Sequence, residues 1–337
     1  MLDLACSNSL DGAFRAGTHN FLVGDSRSGK TFLSLTCLAE ASINPAFDDY
    51  EFIHDDVEGG ALMDIEKFFG SRVAKRLRAP KYDDDNSPVY SRTVEEFYDN
   101  FFDAMDRGPC IYIEDSMDSL SSAYEEKRVT ARKKHRQGKG EEVKGDYSDG
   151  KAKLNAQYLR LAIPKLAETN SILIIINQTR DNVGGGIFDP KKTRSGGHAL
   201  TFYSTIEIWS SVGSDIKKNV KGKDRIIGVN CRINIKKNRL QGQKRRVDLP
   251  IYYSHGIDDL GSCVDFLVDE KQWDKKRGTA TITVPEEDLG ISLSGTKNKI
   301  IGVIEEEGLE EKVKELVARV WADLEKACAI PRKPRYE

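Results

Sequence analysis

Hydrophobic positions along this chain follow two rhythms. Short apolar runs at Phe21-Leu-Val23, Glu51-Phe-Ile53, Cys110-Ile-Tyr-Ile113, Ser171 to Asn177 and Ser204 to Trp209 read as strands, several of them buried on both faces. Between them, Thr31 to Ile43, Val94 to Met105 and Ala152 to Ala167 carry apolar residues at helical spacing. Alternation of this kind predicts an α/β fold with a mostly parallel central sheet flanked by helices. From Arg225 the character changes: Ile226 to Lys236 and Val247 to Tyr253 predict longer strands able to pair antiparallel. After Gly256 comes a smaller segment with an alternating strand at Thr279 to Val284. It ends in an amphipathic helix built on Leu309, Val313, Leu316, Val317, Val320, Trp321 and Leu324. The expected organisation is a core over residues 1–258 and a small C-terminal α/β domain over 259–337, with no internal repeat.

Composition narrows the class. At 337 residues, 39% hydrophobic and 31% charged, the chain can bury a sizeable core, which excludes disordered and low-complexity classes. The longest aliphatic run, Ile172 to Ile176, is far short of the roughly 20 residues of a membrane span, so no membrane partner is expected. Six scattered cysteines without a C-x-x-C pair fit a reducing cytoplasm. Met1 to Cys6 lacks a basic stretch and is interrupted by Asp3, so it does not read as an export signal. The net charge of −2 hides segregation. Lys127 to Lys139 holds seven Lys or Arg and no acid, including Arg132, Lys133, Lys134 and Arg136; Lys217 to Arg246 holds twelve against the single acid Asp224. Such faces suit a polyanion or simply water.

The strongest chemical signal is Gly24-Asp25-Ser26-Arg27-Ser28-Gly29-Lys30-Thr31, which fits G-x-x-x-x-G-K-[ST] between a strand and a helix. Glycines let backbone N–H groups wrap phosphate oxygens at a helix N-terminus. Lys30 is expected to reach the β- and γ-phosphates of a nucleoside triphosphate, and Thr31 to hold Mg²⁺. A second strand runs into Glu114 and Asp115, where Asp115 can hold the ion or its water shell. The acid-rich turn after Ile53 offers a water-activating base, with Glu58 preferred and Asp56 the alternative. Asn177-Gln178-Thr179-Arg180 closes the most apolar strand, where Gln178 can contact a γ-phosphate. The loop from Asp181 to Gly197 that follows holds five glycines with Lys191, Lys192 and Arg194.

Ile176-Asn177-Gln178-Thr179-Arg180, the glycine-rich loop, and Gly196-Gly197-His198-Ala199-Leu200-Thr201-Phe202-Tyr203-Ser204 together resemble the RecA-type recombinase family, including phage recombinases of the UvsX kind. Lys237-Asn238-Arg239 and Ile251-Tyr-Tyr-Ser-His-Gly256-Ile257-Asp258 extend the resemblance, which runs over roughly residues 8 to 270 in the same order. It implies a RecA-type P-loop ATPase core that binds ATP with Mg²⁺ and single-stranded DNA, and duplex DNA during homologous pairing and strand exchange. Hydrolysis would be DNA-stimulated and the assembly a homo-oligomeric helical filament. Gln178 would sense the γ-phosphate and relay it to a second DNA loop at 181–197, with Arg180, Lys191, Lys192, Arg194, Gly196 and Gly197 at the DNA and Val183 wedged between base triplets. The first DNA loop would fall near 145–151, with Lys151. Lys237 and Arg239 would reach the ATP of a neighbouring subunit. The resemblance departs at the N-terminus, where Gly24 comes too early for the family's docking helix and strand. The basic stretch before the first loop is also longer than expected. That departure keeps an alternative open, a RecA-fold ring or short-oligomer ATPase without strand exchange; a switch ATPase acting on protein partners is a third.

Overall fold

The computed structural model describes residues 1–137, 150–181, 192–194 and 197–333. Its contacts gather into two compact units, one of Phe14–Gly213 with Cys231–Lys244, the other of Met1–Ala13, Ser214–Asn230 and Arg245–Glu337.

The first unit follows the predicted alternation. β1 (Thr18–Gly24), α1 (Lys30–Ile43), β2 (Glu51–Asp56), α2 (Ile65–Arg76) and the short β3 (Leu77–Arg78) lead into α3 (Val94–Arg107), β4 (Cys110–Asp115) and α4 (Ala123–Arg136). Then come α5 (Gly150–Thr169), β5 (Ile172–Asp181), β6 (Lys192–Arg194), α6 (His198–Tyr203) and two long strands, β7 (Ile206–Val220) and β8 (Lys223–Asn238). The sheet order is β3-β2-β4-β5-β1-β7-β8, with β6 on β5. The pairs from β3 to β7 along this order are parallel, whereas β6 turns back antiparallel on β5. Ile172 to Ile176 are all buried because β5 lies between β1 and β4, as an unbroken aliphatic run requires. α3 buries Val94, Phe97, Tyr98, Phe101, Ala104 and Met105, one helical stripe, behind a Thr93 cap that accepts the Glu96 N–H. Phe97 and Phe101 meet the Tyr112 ring edge-on at 5.7 and 5.2 Å, joining helix to sheet.

Register puts the functional strand ends at one edge. Gly24 stands opposite Gln178, and Asp56 opposite Asp115, so four motifs distant in sequence meet where the parallel strands end.

The second unit holds the N-terminal helix Leu2–Ser7, the far parts of β7 and β8, β9 (Arg246–Tyr252), β10 (Gly256–Ile257), α7 (Asp259–Asp269), α8 (Lys297–Glu306) and α9 (Glu310–Cys328). Three short strands at Asp274–Lys275, Ile282–Val284 and Leu293–Gly295 form a separate sheet. Leu4 packs in one core with Val264, Leu267, Trp273, Val313 and Leu316. Arg245 fixes the same helix by donating to Leu4 O, Ala5 O and Asn8 Oδ1 while pairing with Glu325 at 2.6 Å. The units therefore do not follow a single cut near residue 258. The apolar side of the N-terminal helix packs against residues near the other end of the chain, so the chain's two ends share a core.

Candidate nucleotide site

Between β1 and α1 the phosphate loop is shaped by two glycines. Gly29 takes φ +80°, a left-handed conformation that L side chains avoid, and a Cβ on Gly24 would come within 2.3 Å of Ser210 O. Lys30 opens the helix and is buried; its Nζ donates to Gly24 O at 3.0 Å and Asp25 O at 2.8 Å. Burial pushes its ammonium below the usual lysine range, while the carboxylates of Asp115, Glu58, Asp25 and Asp118 pull it up. Beside it lies a cavity of about 290 Å³ lined by Arg27, Lys30, Thr31, Glu58, Asp115 and Gln178, among others.

Thr31 Oγ1 donates to Asp115 Oδ2 at 2.6 Å, and His54 Nε2 stands 3.6 Å from the same oxygen. The neighbouring Glu114 faces the other way, as strand alternation demands. It is fully buried, its carboxyl oxygens have no hydrogen-bond partner among the described residues, and desolvation holds its acid far above the usual range. Only Asp115 of this acidic pair is offered to the site. Among the described residues no three His, Cys, Asp or Glu gather to hold an ion alone. A hydroxyl and a carboxylate meeting at one point suit a cation that arrives with phosphate oxygens and water as its remaining ligands. The surrounding acids give the same preference, since a bare triphosphate would meet like charge.

The two candidate bases occupy different situations. Asp56 accepts the backbone N–H groups of Gly60 at 3.0 Å and Ala61 at 3.1 Å, so its carboxylate closes the turn. Glu58 Oε1 faces side chains: it accepts from Ser116 Oγ, from Ser119 Oγ at 3.1 Å and from Gln178 Nε2 at 2.8 Å. Ser116, Ser119 and His54 were not among the residues expected from sequence. The run Asp115-Ser116-x-x-Ser119 was the signal available for the serines.

The residues expected to meet DNA scatter. Arg132, Lys133, Lys134 and Arg136 are exposed on α4, a helix with no buried residue and a Ser122/Glu125 capping box. Lys151 sits in the first turn of α5, and Arg180 is exposed with its guanidinium 3.1 Å from Asp118. Lys192 pairs with Asp25. Arg194 turns inward: it donates to Gly197 O and Thr201 Oγ1, pairs with Glu207 at 3.5 Å and lies over the Phe21 ring. Gly197 packs on α5, where a Cβ would come within 2.6 Å of Ala152 Cβ. Val183, Lys191, Gly196 and the stretch 145–149 lie outside the described residues. Lys237 and Arg239 do not line the cavity. Lys237 donates to Thr201 O and, at 2.9 Å, to Phe202 O, and Arg239 donates to Phe202 O at 2.5 Å. Burial and the adjacent Arg239 push the Lys237 ammonium down to about 8.

Fold and site together define an α/β protein with a phosphate loop at the carboxyl edge of a mostly parallel sheet. Residues 137–258 match the model of the RecA N-terminal domain. The chain is 29% identical to a protein RecA of Geobacter metallireducens over 198 residues, 57% of this chain and 53% of that protein. It is 33% identical to a protein RecA of Caulobacter vibrioides and 35% to one of Ehrlichia canis, each over 133 residues, 38% of this chain and 35% of each relative. The matched part thus spans about half or less of these relatives. The central part of the chain is thus similar to RecA proteins of the RecA-type recombinase family, and the α/β core is the fold that this similarity leads one to expect. Among the described residues no helix is long and apolar enough to cross a membrane.

Proposed function

We propose that the protein is an ATP-dependent recombinase that binds single-stranded DNA, hydrolyses ATP to ADP and phosphate under DNA stimulation, and promotes homologous pairing and strand exchange. The observation that carries this reading is Gln178. Its amide meets Glu58 at the cavity, and its strand runs directly into the β5–β6 hairpin. A group that touches both the reacting phosphate and a polyanion-facing hairpin can report one to the other.

Lys30 and the loop amides bind the phosphates, and Thr31 with Asp115 would hold Mg²⁺, whose charge would stabilise the leaving phosphate oxygens. Glu58 accepts the proton of the attacking water, because its oxygen faces the cavity whereas Asp56 is committed to backbone. Lys237 and Arg239, turned on their own chain onto the end of α6, act on the nucleotide of a neighbouring copy. Hydrolysis then requires a homo-oligomer, a helical filament on DNA. Arg132, Lys133, Lys134, Arg136, Lys151 and Arg180 contribute phosphate contacts, which favour affinity over sequence preference. The six thiols and this activity both suit the cytoplasm. Adding single-stranded DNA should raise ATP turnover and give ATP-dependent retention of the strand on a filter. Turnover indifferent to DNA, with no retention, overturns the proposal.

A second reading has one observation in its favour: the N-terminal helix is packed into its own chain's core through Leu4. A RecA-fold ring or short oligomer without strand exchange would use it that way. Electron micrographs with DNA and a non-hydrolysable ATP analogue separate the two as closed rings or extended helices.

A further inference from the structure

Asp25 is the second residue of the phosphate loop, yet its carboxylate is held from outside the loop. Thr179 Oγ1 donates to Oδ1 and Lys192 Nζ to Oδ2. These partners come from the two strands of the β5–β6 hairpin, whose register sets Thr179 opposite Arg194 and Asp181 opposite Lys192. The backbone carbonyl of Asp25 meanwhile accepts Lys30 Nζ at 2.8 Å. One residue therefore touches the cation that faces the phosphates and both strands of the hairpin.

We infer that Asp25 is a positioning residue that couples nucleotide binding to the β5–β6 hairpin, with Lys192 as its charge partner and positive cooperativity as the result. Lys30 and Lys192 are the two cations acting on this carboxylate, and Lys192 is the stronger influence. A bound phosphate draws the Lys30 ammonium toward itself, since a charge-assisted contact to phosphate outweighs one to a carbonyl. Of its two cations Asp25 then keeps Lys192, beside the Thr179 hydroxyl, so the tie between loop and hairpin strengthens when nucleotide is present. Linkage is reciprocal, so whatever holds the hairpin in place raises nucleotide affinity by the same factor. The side chains are about a third and under half exposed, 34% and 45%, so the coupling is modest. It should amount to about two- to fivefold, the scale of one partly exposed ion pair.

The inference rests on the nucleotide-site reading; only its second test involves DNA. In the first, hydrogen exchange is followed on the full chain with and without Mg²⁺ and a non-hydrolysable ATP analogue, at concentrations that saturate each variant. Nucleotide should slow exchange across 179–181 and 192–194 in the parent chain, and Asp25→Asn and Lys192→Met should each lose that protection. Should Asp25→Asn fail to fold, Lys192→Met, a change at a half-exposed side chain, carries the test. Protection persisting at parent level in the folded variants overturns the inference while leaving the nucleotide site standing. No nucleotide binding by the parent chain in equilibrium dialysis overturns both. In the second test, the ratio of oligo-dT affinities with and without the analogue should fall about two- to fivefold in Asp25→Asn; an unchanged ratio overturns the coupling.

Discussion

The nucleotide edge and the basic helix α4 are both polar, yet they are built on opposite terms. At the edge, Thr31 bonds Asp115 at 2.6 Å and Gln178 bonds Glu58 at 2.8 Å. Thr31 opens a helix, Asp115 ends a strand, Gln178 lies near the end of another, and Glu58 stands in the turn after β2, tied down by its side-chain partners. On α4, Arg132, Lys133, Lys134 and Arg136 project into solvent from a helix that buries nothing. Chemistry at a phosphorus atom needs atoms fixed in place, so its residues must be wedged into the sheet. Attraction of a polyanion needs only charge within about a Debye length, so its residues need no scaffold beyond a helix.

The comparison breaks most visibly at Lys30. Lys30→Ala should abolish ATP binding and hydrolysis while circular dichroism reports an intact fold; turnover at the parent rate would mean the edge is not the site. Lys237→Ala combined with Arg239→Ala comes next, with a loss in DNA-stimulated turnover of about 10³–10⁵-fold if the cations act in trans. Mixing this double variant with Lys30→Ala subunits should restore part of the activity, and no recovery in demonstrably mixed assemblies rules the trans role out. The same turnover should decline as pH rises through about 8, because Lys237 loses its charge there. Glu58→Gln should slow hydrolysis about 10²–10⁴-fold with nucleotide binding retained, whereas Asp56→Asn should instead loosen the turn it closes. Reversal of those two phenotypes in single-turnover assays would exchange their roles. The smallest effect belongs to α4: neutralising Arg132, Lys133, Lys134 and Arg136 should leave DNA-free turnover alone. The log–log salt slope of single-strand binding should drop by about 0.7 for each phosphate that is no longer neutralised. A constant slope would leave these four residues as a solvated face.

What was legible in the sequence divides along the same line. The phosphate loop, Asp115 and Gln178 could be placed because strand periodicity and motif spacing fix which residues end a parallel strand. The choice between Glu58 and Asp56 was open, since it turns on which carboxylate the backbone of Gly60 and Ala61 consumes. Arg194 was expected at the DNA from its glycine-rich, cationic loop and the family resemblance. Its pairing with Glu207, 13 residues on, could not be read from the sequence, because it depends on a path the sequence does not reveal. The long β7–β8 pair was seen only in part. Residues such as Lys217, Lys218, Lys221 and Lys223 are exposed, and a strand segment with no buried side chain carries no alternating pattern to read. Nor could the shared core of the two chain ends be foreseen, because packing between Leu4 and Val313 leaves no local trace.

Glu114 has a consequence for how firmly the protein stands at different pH. Burial holds its acid well above the ordinary value of 4.5 in the folded chain, whereas the unfolded chain titrates near that value. Because the folded pKa is the higher, the unfolded chain loses its proton first, and resistance to unfolding falls as pH rises from about 4.5 toward the folded value. Replacing Glu114 with leucine removes both the titration and the two buried oxygens without partners. The urea midpoint should move upward at pH 7 and move less at pH 4; equal shifts at both would mean the carboxyl finds a partner that keeps it charged. Through Glu114, the strand that carries Asp115 to the cavity also weakens the sheet to which it belongs.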